Sequence, residues 1–229
     1  MNLNIIEGYV EIEGRYPILI TALHGFGTDL FKELVSVTKK YVPLSKMKEL
    51  TIYHSAVDMY TWEIAFKTAV AEKTWAILPT ISKVDRLENM DLPDYNLNKP
   101  YAKSTPLWRR VGELVNRNAV KIIVDFHGMK NIKRWPDVCI STCNFTTVSR
   151  SLISAIIAYL RSMGLNVRID YPFSGGAFIK FFGKPPYIEA FAIELKRNLR
   201  YFGSKVPLIA RGIIRQVKEY LEYSPTLSQ

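Results

Sequence analysis

The sequence predicts an α/β protein, a single domain with a mixed, mainly parallel sheet and helices on both faces. Two observations carry this reading. Short apolar, β-branched runs alternate with stretches of helical spacing along the whole chain, and strands separated by helices pair in parallel and are covered on both sides. The 229 residues are 48% hydrophobic and 23% charged, enough to bury one large core and too apolar for disorder, so residues 1–229 read as a single domain.

Residues 8–13 alternate apolar and polar, Gly14 marks a turn, and 17–23 form a short apolar strand that stops at His24-Gly25-Phe26-Gly27. Thr28 or Asp29 can cap a helix reaching about Tyr41, and a second helix is expected over 60–72. Residues 74–81 read as a strand, with Pro79 marking its end or an edge position. Pro93, Pro100 and Pro106 make 88–106 a long excursion loop. A helix over 106–116 leads to a buried strand at 120–126, which again ends in a histidine and a glycine. Further strands are expected at 138–143, 167–170 and 190–195. Helices are expected at 148–163, closed by Gly164, and at 206–223, with Pro207 in the first turn.

Composition excludes several classes. Two cysteines, Cys139 and Cys143, rule out a disulfide scaffold and a four-cysteine zinc site; their spacing places them on one face of a strand as small buried hydrophobes. No apolar run approaches the ~20 residues of a membrane span, and the first fourteen residues lack the pattern of a secretory leader, so a soluble cytoplasmic protein is expected. Lys plus Arg number 31 against 21 Asp plus Glu, a net charge of +10 that favours anionic partners.

The chain has three histidines, His24, His54 and His127, and two of them share one pattern: an apolar strand, then His-Gly. Ligands of open α/β sheets bind beyond the carboxyl ends of the strands, so imidazoles at two such ends can converge on one metal ion. Asp125, two residues before His127, lies on the same strand face and can hydrogen-bond the imidazole and fix its tautomer. A catalytic zinc takes three protein ligands; the third is open between His54, Asp58, Glu63 and a distant carboxylate. Asp58 has a plain alternative as a helix N-cap. Glu194 interrupts the apolar run 191–195, where a carboxylate is costly unless it is paired, by Lys196 or Arg197, or functional. Beside a metal-activated water it would serve as general base.

Leu23-His-Gly25, Val57-Asp-Met-Tyr60, Asp125-Phe-His-Gly128, the glycine-rich 171–183 segment and Ala192-Ile-Glu-Leu-Lys-Arg197 occur in that order. In this order and spacing the chain resembles the N-formylglutamate amidohydrolase family, similar in fold to zinc carboxypeptidases and aspartoacylases. Leu23 stands where the family usually has proline. The resemblance implies one zinc ion held by His24, Asp58 and His127, Glu194 as general base, and Arg197 at the arginine three residues later. It also implies that 175–183, with Gly175, Gly176 and Lys180, is a loop that closes on substrate. Arg86 corresponds to the family's substrate-recognising segment; it or Arg197 would bind a substrate carboxylate. The implied substrate is a small anionic N-acyl amino acid or a peptide-like amide. The alternatives are an inactive family member and a basic anion- or nucleic-acid-binding protein using Arg109, Arg110, Arg117, Lys130, Lys133 and Arg134 with Trp108 and Trp135 for stacking. No nucleic-acid motif accompanies that cluster, so nucleic acid is the weaker reading.

Overall fold

The computed structural model describes residues 2–6, 8–26, 58–81, 103–201 and 205–223. The helix expected after Thr28, His54, Arg86 and most of the proline-rich excursion lie outside them. The strands are β1 (Leu3–Ile6), β2 (Tyr9–Ile12), β3 (Tyr16–Thr21), β4 (Thr74–Pro79), β5 (Ile122–Met129), β6 (Val138–Ser141), β7 (Val167–Ile169) and β8 (Glu189–Lys196). The helices are α1 (Thr61–Glu72), α2 (Pro106–Asn116), α3 (Arg150–Ser162), α4 (Ala177–Phe182), α5 (Arg197–Tyr201) and α6 (Val206–Tyr223).

The strands form one eight-stranded sheet in the order β1-β2-β4-β3-β5-β8-β6-β7. It is parallel through β4-β3-β5-β8 and again between β6 and β7, while β1·β2, β2·β4 and β6·β8 are antiparallel. The mixed, centrally parallel α/β sheet expected from the sequence is therefore present. Successive residues on a strand face opposite layers. Ile18, Ile20, Val124, Phe126, Phe191 and Ile193 pack in one cluster with residues of α1, α3 and α6. Leu19, Ile77, Ile123, Ala190 and Ala192 pack in the other with Leu107, Trp108 and Val111 of α2 and Phe178 and Phe182 of α4. Trp108 is thus a core residue, 2% exposed, and offers no stacking surface to nucleic acid.

Two boundaries differ from the sequence reading in ways that matter for the site. The strand expected to stop at Phe126 continues through His127 and Gly128 to Met129, because its ladder to β8 runs on to Met129↔Lys196. Conversely, β6 ends at Ser141, so Cys143 does not share a strand face with Cys139. The reason is Asp170. Its carboxylate accepts from the Thr142 N–H at 2.7 Å, the Thr142 hydroxyl at 2.7 Å and the Asn144 N–H at 2.9 Å. That turns the chain at Cys143, Asn144 and Phe145, which all have positive φ. Both cysteines are buried, as expected.

Candidate metal centre

Because β3 and β5 are adjacent and parallel, their carboxyl ends lie side by side and deliver His24 and His127 to one rim of the sheet. Beyond β3 the chain turns through a Gly25 N–H bond to the Ala22 carbonyl at 3.1 Å. Gly25 is needed there for closeness: a Cβ on it would lie 2.4 Å from the Thr61 hydroxyl and 2.5 Å from the Trp62 nitrogen. The His24 turn can therefore sit directly on the start of α1, and the Asp58 N–H donates to the His24 carbonyl at 2.9 Å.

Asp58 does not cap α1 with its side chain. The cap position is Tyr60, at φ 68° and without a side-chain cap bond. The Asp58 carbonyl accepts from the Thr61 N–H at 3.1 Å and from its hydroxyl at 2.7 Å, which leaves the carboxylate to the histidines. One Asp58 oxygen, Oδ2, lies 2.9 Å from His127 Nδ1 and 3.8 Å from His24 Nδ1. The two imidazoles meet edge to face at 5.1 Å between centroids. One ligand atom from each of His24, Asp58 and His127 falls within 4.8 Å of the others. Tetrahedral zinc ligands at ~2.0–2.2 Å from the ion are about 3.4 Å apart, a spacing the two shorter separations bracket. Glu63, one residue into the first turn of α1 beyond Trp62, does not belong to this group among the described residues.

On its other side His127 donates through Nε2 to Asp125 Oδ2 at 2.8 Å, while the Thr21 hydroxyl donates to Asp125 Oδ1 at 2.7 Å. Burial opposes charge on His127, but the Asp125 and Glu194 carboxylates outweigh it and hold the imidazole well above its usual value. Burial likewise pushes Asp58 up, yet the hydrogen bond and charge of His127, with His24 and Arg200, bring it down to about 2. A cation-like His127 between two carboxylates has one proton held by buried Asp125 and a second where a metal ion can substitute, between Nδ1 and Asp58. This two-nitrogen, one-oxygen donor set fits zinc. Asp125→Asn should keep the fold, because an amide oxygen still accepts from Thr21. It should weaken zinc binding by ~10–100-fold, measured by chelator competition.

Glu194 is the ladder partner of His127 on the neighbouring strand and of Cys139 on the other side. It is 9% exposed. Burial, reinforced by Asp58 and Asp125 against the opposing His127 and Arg200, pushes its carboxyl up to about 7. The expected neutralisers are occupied elsewhere. Lys196 donates to the Trp135 carbonyl at 2.9 Å, and the Arg197 guanidinium lies over the Tyr201 ring at 4.9 Å. Among the described residues no ion pair involves Glu194. Its folded-state pKa lies above the ordinary 4.5, so its stabilising contribution is complete below about pH 4.5 and is lost as pH rises through about 7. Zinc-free protein should lose about 3 kcal/mol more stability across that window than Glu194→Gln, read from urea midpoints at pH 4.5 and 8.

The arginine drawn into this region is Arg200, which the sequence reading passed over; its only signal was a third basic residue after Glu194. The glycine-rich segment divides in two. Residues 171–176 form an exposed connection whose Phe173 carbonyl accepts from the Ser141 hydroxyl at 2.9 Å and the Cys139 thiol at 3.2 Å, over the strand next to Glu194. Gly175, at φ 118°, packs so closely that a Cβ would meet Cys143 Sγ at 2.6 Å. From Gly176 the chain enters α4, which buries Phe178, Ile179 and Phe182 and leaves Lys180 exposed. The 175–183 segment is thus mostly a packed helix rather than an open loop.

The model of the family N-formylglutamate amidohydrolase, a family of amide-hydrolysing enzymes, matches residues 96–201. The resemblance and the enzyme class read from the sequence agree with that match. No curated protein sequence matches the chain. Among solved structures, an N-formylglutamate amidohydrolase from Ralstonia eutropha is 15% identical, with 95% of this chain and 98% of that one covered and a TM-score of 0.58. A gene product of Agrobacterium tumefaciens is also 15% identical over 94% of each chain, with a TM-score of 0.62. A third, YNDL in its zinc-free apo form, is 12% identical over 95% of this chain and 91% of that one, at 0.54. These likenesses establish the shared fold. No helix among the described residues is long and apolar enough to cross a membrane.

Proposed function

We propose that this chain, in which residues 96–201 match the N-formylglutamate amidohydrolase family, is a zinc-dependent amidohydrolase of small anionic N-acyl amino acids or peptide-like amides. The observation that carries the reading is the convergence of His24, Asp58 and His127 at one rim, with Glu194 on the adjoining strand. A structural neighbour named for its zinc-free form supports zinc as the ion. Bound zinc would polarise the scissile carbonyl and acidify a water.

The chain's own groups supply the rest. His24, Asp58 and His127 hold the ion, and Asp125 fixes the His127 ring. Glu194, raised toward neutrality by burial, takes the proton of the attacking water and returns it to the departing nitrogen. A substrate carboxylate pairs with a guanidinium, Arg197 or Arg86, and Gly175, Gly176 and Lys180 border the substrate. The whole of 1–229 acts as one amidohydrolase-like domain, in the cytoplasm. The test is amine release from N-formyl- and N-acetyl-glutamate and related N-acyl amino acids by zinc-loaded protein. Turnover abolished by a chelator and restored by zinc is the expected result. No turnover on any member of the panel, with one zinc bound, would reject the activity.

A further inference from the structure

One guanidinium ties together the backbone beside three of the proposed functional side chains, Asp58, His127 and Glu194. Arg200, in α5, donates through Nε to the carbonyl of Leu195 at 3.1 Å, through one terminal nitrogen to the carbonyl of Met59, and through the other to the carbonyl of Met129 at 3.3 Å. Leu195 follows Glu194, Met59 follows Asp58, and Met129 lies two residues after His127. Three separate chain segments therefore end on one rigid, planar fork, which a lysine ammonium cannot imitate.

Two independent features belong with this contact. Gly128, between His127 and Met129, has the Arg200 guanidinium where its side chain would be: a Cβ would lie 2.4 Å from Cζ and from one terminal nitrogen. The segment carrying Asp58 also runs into Tyr60 at φ 68°, a costly conformation for a bulky residue, which persists only where surroundings hold it. Those surroundings are α5. The Tyr201 hydroxyl donates to the Met59 sulfur, and the Tyr60 and Tyr201 rings meet edge to face at 4.9 Å.

We propose that Arg200 is the positioning residue of the metal centre, setting the spacing of Asp58, His127 and Glu194 through their neighbouring carbonyls, with Gly128 providing its seat. This rests on the zinc reading above. The guanidinium donors are directed at the backbone, so Arg200 acts through these three residues.

The test compares wild-type protein with Arg200→Ala, Arg200→Lys and Gly128→Ala. The last displaces the guanidinium while keeping its charge. Zinc affinity is measured by chelator competition, and ligand geometry by the visible absorption of the cobalt(II)-substituted protein. For all three variants the expected result is a ~10–100-fold weaker zinc affinity, the range for loss of groups that orient metal ligands. A changed cobalt spectrum should accompany it, with guanidinium ion in solution partly restoring Arg200→Ala but not Gly128→Ala. Variants that melt lower yet keep wild-type affinity and spectrum would make Arg200 merely structural and overturn the inference, as would failure of all three to fold. Wild-type protein that takes up no zinc or cobalt would instead sink the zinc reading itself.

Discussion

Glu194→Gln is expected to keep the fold and one bound zinc while lowering hydrolysis of N-acyl amino acids by ~10²–10⁴-fold, the usual contribution of general acid–base catalysis. The carboxylate stands beside the proposed ligands rather than among them, as the ladder partner of His127. Glutamine fills the same volume and hydrogen-bonds, but cannot take a proton from water. Burial already disfavours the Glu194 carboxylate and pushes its pKa up to about 7. The substitution should therefore leave zinc-free protein at pH 8 at least as stable as wild type. A lower melting temperature with unchanged turnover per folded molecule would remove Glu194 from the mechanism. Zinc content, melting temperature and turnover on one preparation separate the outcomes.

His127→Ala should have the second large effect, on metal and fold together. It deletes a proposed ligand and also strips Asp125, 0% exposed, of one of its hydrogen-bond partners. Removing one partner of a buried charged pair costs about 3–5 kcal/mol. His24→Ala is the informative companion, because the Asp58 side chain it lies against is 15% exposed rather than fully buried. Both variants should lose zinc, assayed by elemental analysis after gel filtration. Only His127→Ala should also show a large drop in urea midpoint when metal-free wild type is the reference. Equal destabilisation by the two would mean that Asp125 is not held chiefly by His127.

Much of this arrangement was legible in the sequence because it rests on short-range rules. Apolar runs leading into His-Gly placed His24 and His127 towards the carboxyl-terminal side of β3 and β5, and period-two alternation placed Asp125 and His127 on one face. The helices over 106–116 and 206–223 follow directly from their spacing and their prolines. What the sequence could not show was long-range. Whether Asp58 caps a helix or faces a histidine depends on Tyr60 adopting φ 68° against Tyr201, far along the chain. The extension of β5 through Gly128 depends on its ladder to β8. Arg200 had no local signature, because its partners are carbonyls brought together only by the fold. The end of β6 was misjudged for the same reason, since the Asp170 carboxylate that turns the chain arrives from a separate strand connection.

The central claim is that His24, Asp58 and His127 together hold one metal ion. Its most direct test is a calorimetric zinc titration of chelator-stripped protein, run on wild type and on His24→Ala, Asp58→Asn and His127→Ala. The account predicts about one zinc per wild-type chain. It also predicts proton release on binding, since the ion displaces the proton between His127 and Asp58, and a large loss of affinity in each variant. Zinc uptake that survives all three substitutions unchanged, or no uptake by folded wild-type protein, would contradict it.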